Sequence, residues 1–256
     1  MKPTIIFVPG AWLVPEFYRP FLEAVQAAGF PTYTAELLSL NPVDPAAADC
    51  ATDAESIRRL VCSLVEDEGR DVVLVMHSYA SMPGAAAAVG ISKSERVKQE
   101  KKGGVLGLVC MGAFLVPEGI SCAGTQGGNL PSWILLDQPS IGLNVPDQPE
   151  KTFAADVRED RGLAISSVIQ PHASLAFFSA QPSPAWLDPA FAGRLAYVVT
   201  TEDLAVPKVA QYGMMMGTGQ QWHVREIESS HCAPFITKVG QSVEILQEFI
   251  QAFETL

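Results

Sequence analysis

The chain has 256 residues, 48% of them hydrophobic and 18% charged, which suffices for one sizeable α/β domain with a real core. Its formal net charge of −11 excludes the basic face that nucleic acid or an anionic membrane would need. Five cysteines (Cys50, Cys62, Cys110, Cys122, Cys232), odd in number and without a C-x-x-C pair, argue against a disulfide framework or a zinc site.

No apolar run is long enough to span a bilayer. Met1-Lys2-Pro3 leads straight into the apolar Thr4–Val8 with no small-residue cleavage site behind it, so no secretory signal is read. Reduced thiols in a cytoplasmic setting are expected.

Thr4–Val8 reads as a first strand, followed by Pro9-Gly10-Ala11-Trp12. Residues 16–29 carry Phe17, Phe21, Leu22 and Val25 at helical spacing and stop at a glycine. Residues 31–37 alternate like a strand, residues 42–45 make a loop, and Asp49 or Thr52 caps a helix running to about Glu68. Val72 to Val75 is a β-branched and aliphatic run that reads as a strand buried on both faces; it ends abruptly at His77-Ser78-Tyr79, and an Ala-rich helix over 85–89 follows. The lysines of 93–102 are interrupted by acids and predict a solvated helix end and surface loop. Residues 104–115 are another buried strand, Leu195–Thr200 and His223–Ile227 are two more, and 236–249 is the last helix.

Continuous apolar strands alternating with helices predict an α/β fold with a mostly parallel, doubly wound sheet. Between Pro117 and Pro189 the pattern breaks down into a Pro- and Gly-rich stretch holding Trp133, Phe153, Phe177, Phe178 and Trp186. A long stretch of this kind predicts an inserted helical lid over 117–189, the core being 1–116 and 190–256. Its aromatic residues either pack the lid itself or line a substrate pocket.

The chemistry centres on Ser78. A strand, a tight turn carrying one serine and then a helix form a nucleophile elbow, with the helix N-terminus favouring developing negative charge. The G-x-S-x-G pattern reads Met76-His77-Ser78-Tyr79-Ala80, so both glycines are replaced, and Met76 is expected to crowd the turn. A serine needs a base, usually a histidine held in the right tautomer by a carboxylate. Of four histidines, His77 is read as structural, His172 lies in the lid region and His223 begins a strand. His231 follows the last strand, at the carboxyl edge of the sheet where ligands bind. Glu202 and Asp203 follow the strand before it, and either supplies an acid at the same edge. The order serine, acid, histidine is that of the α/β-hydrolases.

Over nearly its whole length the chain resembles the α/β-hydrolase superfamily. It is most similar to the branch of plant methylesterases and hydroxynitrile lyases and to fungal relatives of that group. The residues that carry this are Phe7-Val-Pro-Gly-Ala11-Trp12, Val75-Met-His-Ser-Tyr79, Thr201-Glu-Asp-Leu-Ala-Val-Pro207 and Ser230-His-Cys-Ala-Pro-Phe235. The resemblance implies that Asp203 rather than Glu202 is the acid, with Glu118 as the fallback. It also implies an oxyanion hole made by the backbone N–H groups of Ala11 and Tyr79. Trp12, Trp133, Phe177, Phe178 and Trp186 are the candidate pocket residues. Pro9 stands where the family has a histidine and is expected to stiffen the oxyanion loop.

The leading expectation is a serine hydrolase that cleaves a carboxylic ester or lactone of a small to medium hydrophobic substrate. No metal, cofactor, nucleic acid or membrane is expected as a partner, and a homodimer stays open. A cyanohydrin lyase is disfavoured, because the resemblance asks for a lysine after the catalytic histidine and a threonine in the oxyanion loop. Cys232 and Ala11 stand there. Two alternatives remain: non-hydrolytic chemistry in secondary metabolism with His231 as general base, and a binding protein that has lost catalysis.

Overall fold

The structure is a computed structural model in which residues 2–157 and 165–256 are described. Nine strands occur among them: β1 (Thr4–Val8), β2 (Thr32–Thr34), β3 (Asp71–His77), β4 (Gly104–Met111), β5 (Ile134–Leu136), β6 (Leu143–Pro146), β7 (His172–Ala173), β8 (Leu195–Thr200) and β9 (His223–Ile227). Six form one sheet in the order β2-β1-β3-β4-β8-β9, every neighbouring pair parallel. The central strands β1 and β4 are buried throughout, as their unbroken apolar sequences require.

Side chains alternate across this sheet. Phe7 and Gly107 face one side, where helices α1 (Arg19–Ala27) and α8 (Val239–Glu254) pack together. A Cβ on Gly107 would lie 2.4 Å from the Phe253 ring, so the glycine lets α8 sit close to the sheet. Val8 and Met76 face the other side, where α2 (Cys50–Cys62) packs on α3 (Ser81–Ala87). Asp49 is the N-cap of α2 and accepts from Thr52 N (2.8 Å), while Thr52 Oγ1 accepts from Asp49 N (2.9 Å). Both residues singled out by the sequence therefore build one reciprocal cap, worth about 1 kcal/mol.

Two expectations are corrected. The lysine-rich segment is not simply solvated: it carries helix α4 (Lys93–Lys98) and a short turn, and Arg96 within it is buried. Its guanidinium donates to the carbonyls of Gly103 (3.1 Å) and Lys102 (2.9 Å) and pairs with Glu66 (3.3 Å), which fastens the segment to the core. The inserted region is not simply helical either. It holds short helices α5 (Pro149–Phe153) and α6 (Ser174–Phe178) and an antiparallel sheet in the order β5-β6-β7. Among the described residues no helix is long and apolar enough to cross a membrane.

Candidate active site

The strand order turns back between β1 and β3, and a crevice opens at such a switch point beyond the carboxyl ends of the strands. Val8 pairs with Met76, so the chain leaves both strands side by side, with Gly10-Ala11-Trp12 next to His77-Ser78-Tyr79. Ser78 has φ +58° and Trp12 φ +65°, left-handed conformations that cost a non-glycine residue about 1–3 kcal/mol each. The surroundings hold them. The Ser78 carbonyl accepts from Phe114 N (3.2 Å), and the Trp12 carbonyl from Gln170 N (2.8 Å). Gly10 N donates to Tyr18 Oη (3.0 Å), which lies 2.8 Å from His77 Nδ1. A Cβ on Gly10 would sit 2.7 Å from that same nitrogen, so only glycine fits between the two loops.

Met76 does not crowd the elbow. Its side chain is buried against Gly84 of α3, where a Cβ would lie 2.5 Å from the Met76 sulfur. The space given up by the missing strand glycine is recovered by a glycine on the helix. Ala80 is fully buried in the turn between them.

After β8, Glu202 N bonds to Ser229 O (3.0 Å), which brings the two strand-end loops together. Glu202 itself is exposed, as is Glu118, whereas Asp203 is buried. Asp203 Oδ2 lies 2.6 Å from His231 Nδ1 and accepts from Thr200 Oγ1 (2.7 Å). Its Oδ1 accepts from Ala205 N and Val206 N, both at 2.8 Å. Gln211, on α7 (Lys208–Gly217), braces the turn by donating to the Thr200 and Val206 carbonyls (2.9 and 2.7 Å). A Cβ on Gly112 would come within 3.2 Å of Asp203 Oδ2 and 3.4 Å of His231 Nδ1, so the acid–base pair rests on a glycine.

His77 is buried, its ring centroid 4.5 Å from that of His231. Burial, reinforced by His231, holds its pKa well below the usual histidine value, so it stays neutral. His223 is exposed and bonds to the Gly193 carbonyl (2.9 Å). Ser78 and His231 line one cavity, although among the described residues no hydrogen bond joins the Ser78 hydroxyl to His231.

Residues 5–238 match the alpha/beta hydrolase family. The chain belongs to that family. The alpha/beta hydrolase nvfD of Aspergillus novofumigatus is 26% identical over 250 residues, covering 96% of each chain. Among solved structures, a variant of tomato methylketone synthase I complexed with beta-ketoheptanoate superposes with a TM-score of 0.76 at 13% identity over 99% of each chain. The Arabidopsis methylesterase MES16 gives 0.73 at 16% identity, over 97% of this chain and 99% of its own.

The cavity beside Ser78 and His231 is tightly closed by its lining, with a free volume of only about 20 Å³. Trp12, Trp133 and Phe177 line it, as the aromatic content of the sequence suggests, and so do Phe153 and Phe114. The other two aromatic candidates lie elsewhere. Phe178 is 42% exposed, and Trp186 is buried away from the cavity. Adjacent positions on α6 point to different sides, which separates Phe177 from Phe178. Phe114 is the residue that sequence reasoning misses but had a signal for. It stands just past the end of β4, at the same sheet edge as Ser78. A larger open groove of about 650 Å³ lies at the opposite end of the strands, near Pro3 and Asp71; the one serine lining it, Ser94, donates its hydroxyl to the Ala190 carbonyl (2.9 Å).

Proposed function

We propose that the protein is a serine hydrolase cleaving a carboxylic ester or lactone of a small to medium hydrophobic substrate. The observation that carries this reading is the Asp203–His231 pair, bonded at 2.6 Å and opening onto the same apolar cavity as Ser78. Asp203 fixes the proton of His231 on Nδ1 and leaves Nε2 as the base. Ser78 Oγ gives its proton to Nε2 and attacks the acyl carbon. The developing oxyanion is held by the N–H groups of Ala11 and Tyr79, such donors typically being worth about 2.7–4 kcal/mol each. His231 then protonates the leaving alkoxide, and water attacks the acyl-enzyme by the same route in reverse. The Ser78–His231 hydrogen bond forms in the substrate complex, since such bonds are often loose in the empty site. The aromatic lining favours a neutral, apolar substrate.

The test is intact-mass analysis after a fluorophosphonate probe. One adduct is expected on the wild type, none on Ser78→Ala, and strongly slowed labelling on His231→Ala. An unlabelled, folded wild type overturns the reading. A second reading, non-hydrolytic chemistry with His231 as general base, draws on the same geometry, because the Asp203–His231 pair is formed without Ser78. Under it, Ser78→Ala retains turnover while His231→Ala does not.

A further inference from the structure

A second buried polar chain runs behind the cavity. Asp53, on α2 and fully buried, accepts from Ser39 N (2.9 Å), Ser39 Oγ (2.5 Å) and the Tyr79 hydroxyl (2.9 Å). Ser39 Oγ also lies 2.9 Å from His172 Nε2, in β7 of the inserted sheet. The His172 carbonyl accepts from Asn144 Nδ2 (3.0 Å), and Asn144 Oδ1 accepts from Trp12 Nε1 (2.8 Å). Asp53, Ser39, His172 and Asn144 are all 0% exposed.

The two ends of this chain are the informative part. One is Tyr79, which carries the amide proposed as one oxyanion donor. The other is Trp12, next to Ala11, which carries the second. Trp12 holds a left-handed backbone (φ +65°), and Tyr79 directly follows Ser78, which holds another (φ +58°). Both loops therefore need an external clamp to keep their amides aimed.

The clamp reaches through the inserted region and is supported there by main-chain bonds. Gln170 N donates to Trp12 O (2.8 Å), Ala173 N to Ser39 O (2.8 Å) and Asn41 N to Pro171 O (2.7 Å). The inserted sheet is in this way fixed to the oxyanion loop and to the segment leading into α2.

We infer that Asp53, with Ser39, His172 and Asn144, is a set of positioning residues that aligns the two oxyanion amides, and that the inserted sheet acts in transition-state stabilisation through it. This rests on the serine-hydrolase reading. None of these residues touches the reacting atoms. Their effect is on geometry at Tyr79 and Trp12, and a shift on the order of 1 Å at such a site can cost about 100-fold in rate.

The test compares wild type, Tyr79→Phe, Asp53→Asn, the double variant and Trp12→Phe. The readouts are the rate of fluorophosphonate labelling and the kcat and KM for p-nitrophenyl butyrate. Tyr79→Phe removes only the hydroxyl that reaches Asp53, and Trp12→Phe removes the indole N–H that reaches Asn144 while keeping an aromatic ring. Each is expected to slow labelling and kcat by about tenfold; KM stays within about twofold for Tyr79→Phe, whereas Trp12→Phe, which also shortens a cavity-lining ring, shifts KM as well. Tyr79→Phe in the Asp53→Asn background is expected to add little, because the two act through one bond. If Asp53→Asn does not fold, the two terminal variants decide alone. Wild-type rates in folded Tyr79→Phe and Trp12→Phe overturn the inference while leaving the nucleophile in place. A wild type that is neither labelled nor active overturns the serine-hydrolase reading, and this inference with it.

Discussion

Two buried carboxylates, Asp203 and Asp53, use the same partners to opposite ends. Each is bonded by a hydroxyl, from Thr200 or from Ser39, and each belongs to a chain that contains a histidine. Asp203 binds His231 at Nδ1, so the ring's other nitrogen is left for the cavity. In the second chain the serine stands between carboxylate and imidazole, and Ser39 and His172 are both fully buried. Residue types alone do not distinguish the proposed catalytic triad from the proposed clamp. The distinction lies in which atom is left free and whether a substrate can reach it.

The comparison breaks most sharply at the carboxylates themselves. Asp203→Asn keeps the shape but favours the wrong tautomer of His231, and kcat is expected to fall roughly 10³- to 10⁴-fold. Asp53→Asn, a change of the same chemistry, is expected to cost far less. Steady-state hydrolysis of p-nitrophenyl butyrate by both folded variants checks this, and equal losses would abolish the distinction.

The second difference is in response to acid. Burial lowers the pKa of His172 to about 3, against about 6.5 in an unfolded chain. A histidine depressed in the native state gives its full stability above the unfolded value and loses it as pH falls toward the folded one. At pH 5 the unfolded chain takes up a proton that the native state refuses, at a cost on the order of 2 kcal/mol. Urea midpoints at pH 7 and pH 5 are expected to show a shallower acid loss for His172→Gln than for wild type. His77, depressed in the same direction, leaves part of the slope in place. Parallel slopes would mean that His172 takes up its proton in the folded protein.

The sequence makes one of these two chains legible and hides the other. Thr4–Val8, Leu195–Thr200 and His223–Ile227 are read with their observed bounds; in the first two an apolar run rich in β-branched residues stops abruptly at a turn. Ser78, Asp203 and His231 then stand out, since each follows a strand at one sheet edge. The helix at Lys208–Gly217 is not read: it contains Gly213, ends in Gly217 and buries only Gln211 and Met215. Strands β5 to β7 are two to four residues long, too short for a period-2 signal. Ser39 and His172 are 133 positions apart, and no motif spaces them, so only the fold brings them together.

The smallest effect concerns the two hydroxyls. Thr200→Val removes a 2.7 Å bond to Asp203 Oδ2, yet that carboxylate keeps His231 and the amides of Ala205 and Val206. Gln211 Nε2 loses one acceptor at 3.1 Å and retains the carbonyls of Thr200 and Val206. No buried group is stranded, so stability should fall by only about 0.5–1.5 kcal/mol, the net worth of one hydrogen bond. Ser39→Ala differs, because the oxygen it removes faces both Asp53 Oδ2 and His172 Nε2 in a fully buried position. The histidine then loses its partner at Nε2, keeping only the Ala173 carbonyl at Nδ1 (3.2 Å), and the carboxylate loses one of its donors, at about 1–3 kcal/mol for a stranded group. Urea melts of the two variants at pH 7 rank them, and a Thr200→Val loss as large as that of Ser39→Ala would show that the Asp203 turn has no spare donors after all.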